Sequence, residues 1–127
     1  MRFNHLNLCV DDLNEARDFF ETYLDLQFVE QKGAAIVVMS DGHGFTLVLS
    51  HLRISGGEPQ QYPDGFHVGF IVETPQQVDQ AYQAYQAYQR LISAPVELAH
   101  EPRNIRNTYT FYFTALNGVL FEVSSPL

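Results

Sequence analysis

Basic residues, cysteine and long apolar runs are all scarce in this chain. Seven Lys and Arg stand against fifteen Asp and Glu, giving a formal net charge of -8, which disfavours nucleic acid and anionic membrane surfaces as partners. No apolar run approaches the roughly 18 residues of a membrane helix, and no export signal is visible. Cys9 is the only cysteine, which excludes an internal disulfide and fits a reducing compartment. We therefore expect a cytoplasmic protein that binds a small molecule.

A strand pattern containing a histidine occurs twice. Residues 3–12 read FNHLNLCVDD, and residues 65–75 read GFHVGFIVETP. Successive strand side chains point to opposite faces, so His5 and His67 lie opposite the main apolar row at equivalent places in the two copies. Seven positions after each histidine comes a residue able to cap a helix, Asp12 or Thr74. The sequence therefore indicates an internal repeat of two equivalent units, in which both histidines lie on the face available to a ligand.

The first half predicts the element order β-α-β-β-β. After a strand over about 2–10, Asp12 caps a helix whose apolar residues recur at spacings of three and four. Strands follow near 26–30, 35–39 and 45–50, the last two separated by the turn sequence DGHG. Module one therefore spans about 1–52, and residues 53–65, rich in Gly and Pro, are predicted to be a linker.

The second half, about 66–127, predicts the same order. A strand over 66–73 precedes a helix that Thr74 caps with Gln77 completing a capping box. A short strand at 96–98 and a polar loop at 99–107 come next. Two strands follow, at 109–113 and 119–124, and an Asn-Gly turn joins them. Each half, at about 60 residues, would be marginal alone, so we expect a single domain.

Glu122 is a third candidate site residue beside the two histidines. Alignment of the two closing hairpins by their glycines places Val48 opposite Glu122. A carboxylate inside the strand sequence VLFEV is costly to bury unless another group pairs with it. Two imidazoles and one carboxylate suit a first-row divalent cation and leave coordination positions for water or substrate. We therefore predict one metal ion bound by His5, His67 and Glu122, with Zn, Mn, Fe, Ni and Co all open.

Tyrosine and asparagine side chains near these three residues are candidates for substrate chemistry. Tyr109 and Tyr112 are candidate proton-transfer groups, and they point to opposite faces of their strand, so at most one lies beside Glu122. Asn7 shares a strand face with His5 and is a candidate substrate-binding residue.

Two arginines in the predicted loop before strand 109–113 are further candidates for substrate binding. Arg103 and Arg106 are two of only seven basic residues. A guanidinium group matches the geometry of a phosphonate or a carboxylate. These side chains are therefore candidates for holding an anionic substrate group.

In this order, the motifs resemble the vicinal oxygen chelate superfamily of glyoxalase I, fosfomycin-resistance, bleomycin-resistance, extradiol dioxygenase and methylmalonyl-CoA epimerase proteins. The resemblance spans almost the whole chain and rests on the paired modules and on four segments: FNHLNL, FFETYLDL, FHVGF and NGVLFEV. It implies an α+β fold in which two βαβββ modules form a curled, mostly antiparallel sheet around a shared cavity. His5, His67 and Glu122 match three metal-ligand positions of the family. A homodimer is also implied, with modules paired within or between chains.

Val48 departs from the glyoxalase I pattern, which has a second glutamate at this position for metal binding and proton transfer. Valine can do neither. The resemblance therefore implies a divalent-metal-dependent enzyme of the glyoxalase, fosfomycin-resistance or dioxygenase type, acting on a small oxygen-rich molecule by electrophilic metal catalysis, and not a standard glyoxalase I. The alternative is a metal-free small-molecule binding protein resembling the bleomycin-resistance branch, which the negative charge and the many Tyr and Phe favour. A regulatory module with a vestigial triad is a third interpretation.

Overall fold

The computed structural model describes residues 1–58, 61–92 and 101–127. The chain forms two compact units, residues 1–60 and 61–127, and the boundary falls within the predicted linker. Over these described residues, each unit contains one α-helix and one four-stranded mixed sheet. This confirms the predicted α+β class with two βαβββ modules. Neither α-helix, as far as it is described, is long and apolar enough to cross a membrane.

Unit 1, residues 1–60, has strand order β1-β4-β3-β2. Strand β1 runs parallel to β4, and the other two pairings are antiparallel. The first part of the predicted linker forms a 3-10 helix, Leu52–Ser55. The regular elements are β1 (His5–Val10), α1 (Leu13–Tyr23), β2 (Gln27–Lys32), β3 (Ile36–Ser40) and β4 (Thr46–His51).

Unit 2, residues 61–127, repeats this arrangement with strand order β5-β8-β7-β6. Strand β5 runs parallel to β8, and β8, β7 and β6 pair antiparallel. The strand predicted at 96–98 lies outside the described residues. The elements are β5 (Val68–Ile71), α2 (Pro75–Ile92), β6 (Arg103–Ile105), β7 (Thr108–Ala115) and β8 (Val119–Pro126).

Strand β6 corrects the prediction of a continuous polar loop over 99–107. Its three residues pair with β7, placing Arg103 opposite Thr110. The connection is short because Arg106 and Asn107 both adopt the left-handed conformation, with φ of 50° and 66°. Only Ile105 of the three strand residues is apolar, so the sequence carries no strand signal. Arg103 therefore lies on a strand and not in a loop.

Both predicted helix starts are confirmed by their hydrogen bonds. The Glu15 N–H donates to Asp12 Oδ1 at 3.0 Å. At α2 the Gln77 N–H donates to Thr74 Oγ1 at 3.3 Å, and the Thr74 N–H donates to Gln77 Oε1 at 3.0 Å, which is a reciprocal capping box. Each cap satisfies N–H groups that the first helical turn leaves without a partner.

Residues 81–89 read AYQAYQAYQ, and tyrosines of this repeat pack α2 against one face of the unit 2 sheet. Tyr85 is 2% exposed, and its ring centroid lies 4.2 Å from that of Phe113. The Tyr85 hydroxyl donates to the Thr114 carbonyl at 2.5 Å. Tyr82 makes an edge contact with Phe111, 5.4 Å between centroids. This aromatic core covers one sheet face and leaves the opposite face for the candidate site.

Burial of Tyr85 predicts a loss of stability at alkaline pH. Burial raises the pKa of Tyr85 to about 12, above the unfolded value of about 10. The neutral phenol is favoured in the folded state, so its contribution is complete below about pH 10 and is lost as the pH rises through about 12. Tyr85→Phe loses the hydrogen bond to Thr114, worth about 1 to 3 kcal/mol. Phenylalanine has no hydroxyl to ionise, so the variant does not lose stability through this titration. Urea unfolding should therefore show that the difference in free energy of unfolding between wild type and variant becomes smaller as the pH rises from about 10 to about 12. A difference that stays constant with pH would contradict this prediction.

Candidate metal centre

The face of the unit 2 sheet opposite α2 carries a row of polar residues. Residues paired directly across strands share a face. Glu122 of β8 lies opposite Tyr112 of β7 on one side and Gly69 of β5 on the other. Thr110 follows Tyr112 on the same face by alternation, and Arg103 of β6 lies opposite Thr110. The Glu122 face is therefore defined by Gly69, Glu122, Tyr112, Thr110 and Arg103.

His67, just before β5, contacts this face directly. Its Nε2 lies 3.2 Å from Glu122 Oε2, and its Nδ1 lies 2.8 Å from the Gly65 carbonyl oxygen. A carbonyl oxygen only accepts, so Nδ1 carries the proton and donates it. In the neutral ring Nε2 then directs a lone pair at a carboxylate oxygen. This arrangement is favourable only when the ring is protonated or when a cation lies between the two atoms.

The distance between His67 and Glu122 is compatible with both side chains binding the same metal ion. Metal bonds to imidazole nitrogen and carboxylate oxygen are about 2.0 to 2.2 Å long, so two ligands of one tetrahedral or octahedral ion lie about 3 to 3.5 Å apart. The observed 3.2 Å falls in this range. A metal-binding histidine also typically donates the N–H of its second ring nitrogen to an oxygen that fixes the ring, as His67 does to the Gly65 carbonyl.

The ring of His5, at the equivalent place in unit 1, is also held through its Nδ1. Its Nδ1 lies 2.7 Å from Asn4 Oδ1, which leaves Nε2 as the ring nitrogen suited to a metal. The two histidines that the repeat singles out therefore both have Nδ1 engaged with a neighbouring oxygen.

Thr110 and Tyr112 surround the Glu122 carboxylate. The Thr110 hydroxyl donates to Glu122 Oε1 at 2.8 Å. Burial raises the pKa of Tyr112, and the Glu122 charge and its hydrogen bond with Tyr112 raise it further, while Arg106 opposes this. The rings of His67 and Tyr112 make an edge contact, 5.4 Å between centroids. Glu122 therefore has partners for both oxygens, and its side chain is 18% exposed.

On the corresponding face of the unit 1 sheet, a valine occupies the position that matches Glu122. Val48 lies opposite Asn7, as Glu122 lies opposite Gly69 in unit 2. The Asn7 side-chain oxygen accepts a hydrogen bond from Ser50 Oγ at 2.9 Å. Asn7 shares the strand face of His5, as the alternation predicts.

The two candidate tyrosines lie on opposite sides of β7. Tyr112 is beside Glu122, whereas the Tyr109 hydroxyl donates to Asp79 Oδ1 of α2 at 2.7 Å. That hydrogen bond is the main reason why the pKa of Tyr109 is raised. Tyr109 is therefore placed to attach α2 to the sheet, and Tyr112 is the tyrosine next to the candidate ligands.

Comparison with known proteins assigns the chain to a family. The model of the Glyoxalase/Bleomycin resistance protein/Dioxygenase superfamily matches residues 2–123. The chain belongs to this superfamily. A solved structure described as a possible glyoxalase from Bacillus cereus is 39% identical over 97% of each chain, with a TM-score of 0.73. No curated protein sequence matches the chain.

More distant members of the superfamily share the fold. The fosfomycin resistance protein FosX from Listeria monocytogenes is 19% identical over 99% of this chain and 91% of its own, with a TM-score of 0.78. A FosX mutant with the same identity and TM-score, aligned over 99% and 90%, is complexed with Mn(II) and 1S,2S-dihydroxypropylphosphonic acid. Lactoylglutathione lyase from Agrobacterium tumefaciens is 19% identical over 98% and 92%, with a TM-score of 0.70.

Within either unit, over residues 1–58, 61–92 and 101–127, no three His, Cys, Asp or Glu side chains are grouped closely enough to hold a metal ion. His67 and Glu122 are therefore a pair in unit 2, and the third predicted ligand, His5, belongs to unit 1. The prediction that all three bind one ion stays a prediction.

Sequence reasoning missed Thr110. Its signal was present, because Thr110 and Tyr112 alternate onto one face of β7 and the Asn117-Gly118 turn sets β8 opposite. Counting back from that turn pairs Tyr112 with Glu122 and leaves Thr110 as the diagonal neighbour.

Proposed function

We propose that the chain is a cytoplasmic, divalent-metal-dependent enzyme of the glyoxalase, fosfomycin-resistance or dioxygenase type, acting on a small oxygen-rich molecule. The observation that carries this proposal is the pair of His67 Nε2 and Glu122 Oε2, 3.2 Å apart, with Nδ1 of the same ring engaged by Gly65. Membership of the superfamily and the Mn(II) bound by FosX support it.

The proposed metal ligands are His5, His67 and Glu122. The repeat makes the two histidines equivalent, and His5 can come from the same chain or from a second copy. A bound divalent ion supplies electrophilic stabilisation of negative charge on substrate oxygens. The charged Glu122 carboxylate and the fixed His67 ring provide two ligand atoms for this ion, Oε2 and Nε2.

Tyr112 is the proposed proton donor. The ordinary pKa of a phenol is about 10, and burial raises the pKa of Tyr112, so its hydroxyl is neutral at physiological pH. A neutral phenol can donate a hydrogen bond or a proton to a substrate oxygen. Its edge contact with His67 places it beside the proposed ligands.

Arg103 and Arg106 support an anionic substrate. Arg103 lies on the Glu122 face through its pairing with Thr110. Arg106 is near enough to lower the pKa of Tyr112. In a chain of net charge -8, two guanidinium groups beside a candidate site favour a substrate with a phosphonate or carboxylate group. The phosphonate bound by FosX agrees with this class, and Asn7 of unit 1 is a further proposed substrate contact.

A homodimer is part of the proposal. Strands β1 and β5 each lie at one edge of their sheet. An edge strand presents N–H and C=O groups that a strand of another chain can pair with. The segments that carry the two histidines therefore adjoin surfaces suited to association.

Val48 argues against glyoxalase I activity. A second carboxylate at this position would be the natural proton-transfer group, and an isopropyl side chain has no ionisable proton. The proposed reaction therefore uses a three-ligand centre.

Metal-dependent turnover tests the proposed function. Protein stripped with EDTA and reloaded with Mn(II), Fe(II), Ni(II) or Zn(II) is assayed with an epoxide phosphonate, a catechol and the hemithioacetal of glutathione and methylglyoxal. We expect turnover of an anionic, oxygen-rich substrate only with metal, and none of the hemithioacetal. Ligands that raise the melting temperature equally in EDTA, without turnover, would contradict the proposal and favour the metal-free binding alternative.

A further inference from the structure

Thr110 is a buried polar residue at the centre of the Glu122 face. It is 1% exposed. Its hydroxyl lies within hydrogen-bond distance of two acceptors, Glu122 Oε1 at 2.8 Å and the Val123 carbonyl at 3.1 Å. Buried hydroxyl groups are hydrogen-bonded in folded proteins, so the Thr110 hydroxyl donates a hydrogen bond to one of these acceptors.

The carboxylate is the acceptor that the chemistry favours. A threonine hydroxyl has one hydrogen and cannot donate to both oxygens at once. Hydrogen bonds to an ionised acceptor are shorter and roughly twice as strong as those between neutral groups. The shorter distance is also the one to Glu122.

This hydrogen bond distinguishes the two carboxylate oxygens. Oε1 is held by Thr110, and Oε2 is turned toward His67 Nε2 at 3.2 Å. Without the hydroxyl, the plane of the carboxylate is held less firmly, since the terminal torsion of glutamate has a broad profile.

The internal repeat supplies an independent comparison. The offset that matches Glu122 to Val48 matches Thr110 to Ile36, as the sheet pairings Thr110 with Ser124 and Ile36 with Ser50 confirm. The hydroxyl and the carboxylate thus occur together in unit 2 and are both absent at the matching positions of unit 1.

We infer that Thr110 is a positioning residue, which holds Glu122 Oε1 so that Oε2 is presented with His67 Nε2 to a divalent cation. The inference rests on the proposed function and deepens it. Removal of the hydroxyl leaves both ligands in place but removes one of the hydrogen bonds that orient the carboxylate, while the one with Tyr112 remains. Outer residues that orient metal ligands typically change metal affinity by about 10- to 100-fold.

Metal affinity of three threonine variants tests the inference. Thr110→Val keeps the shape of the side chain and removes the hydroxyl, Thr110→Ser keeps the hydroxyl, and Thr108→Val is the control. Thr108 lies on the same strand face and donates to the Ile105 carbonyl, at 2.7 Å. Isothermal titration with Mn(II) and with Zn(II) should show binding about 10- to 100-fold weaker for Thr110→Val. The serine variant and the Thr108 control should bind as the wild type does.

Equal affinity of Thr110→Val and wild type would overturn the inference and leave the proposed function standing. An equal loss in Thr110→Ser would also overturn it, because a positioning hydroxyl must be rescued by serine. Absence of any binding by wild type would overturn the inference together with the proposed function. Circular dichroism checks the fold, and Thr110→Ala replaces the valine variant if that variant does not fold.

Discussion

Replacement of Glu122 by glutamine is expected to weaken divalent-metal binding by more than about 100-fold, beyond the effect of losing an outer residue. The amide carries no negative charge and binds metals poorly. Its oxygen can still accept from Thr110, and its nitrogen can donate to His67 Nε2, the atoms that Oε1 and Oε2 face now. The variant should therefore stay folded, so that a loss of binding reports on the site.

Glu73→Gln is the matched control for that variant. Glu73 is exposed and belongs to the same unit. Both variants lose one negative charge, so a general electrostatic effect on cation binding would appear in both. Isothermal titration with Mn(II) and Zn(II) measures the difference. Wild-type affinity in Glu122→Gln would contradict a ligand role for Glu122.

Replacement of Phe113 by alanine is expected to lower the free energy of unfolding by about 3 to 5 kcal/mol. Phe113 is 2% exposed and lies at the centre of the aromatic core of unit 2. Its ring centroid is 5.3 Å from that of Phe111, 5.4 Å from that of Phe121 and 4.2 Å from that of Tyr85. Alanine would leave a cavity among rigid rings that cannot collapse to fill it.

Phe3→Ala is the control, because Phe3 is 97% exposed. Its removal should change the free energy of unfolding by less than about 0.5 kcal/mol. Urea denaturation followed by circular dichroism measures both variants. A change below about 1 kcal/mol for Phe113→Ala would show that the core does not depend on this ring.

The element order was predictable because its local signals agree with the fold. Asp12 and Thr74 cap their helices through side-chain oxygens that act within one turn, so sequence alone reveals them. Strand β6 was not predictable, since backbone pairing with β7 creates it and its sequence, RNI, is mostly polar. The left-handed turn at Arg106 and Asn107 contains no glycine, so the sequence does not indicate it.

The candidate site was predictable where the repeat constrains it. His67 was placed by analogy with His5, and its contact with Glu122 follows from strand alternation on β5 and β8. Thr110 lies diagonal to Glu122 in the register that the Asn117-Gly118 turn sets, but a threonine within a strand carries no signal of its own for a role beyond strand formation. The choice of Tyr112 over Tyr109 needed the same register.

Elemental analysis of wild-type protein purified without a histidine tag, beside His5→Ala, tests the central claim most directly. That claim is that His5, His67 and Glu122 together bind one divalent ion. We predict about one metal ion per wild-type chain after incubation with Mn(II), Fe(II), Ni(II) or Zn(II), and a large loss in the variant. No bound metal in the wild type under all four conditions, or an unchanged content in His5→Ala, would contradict it.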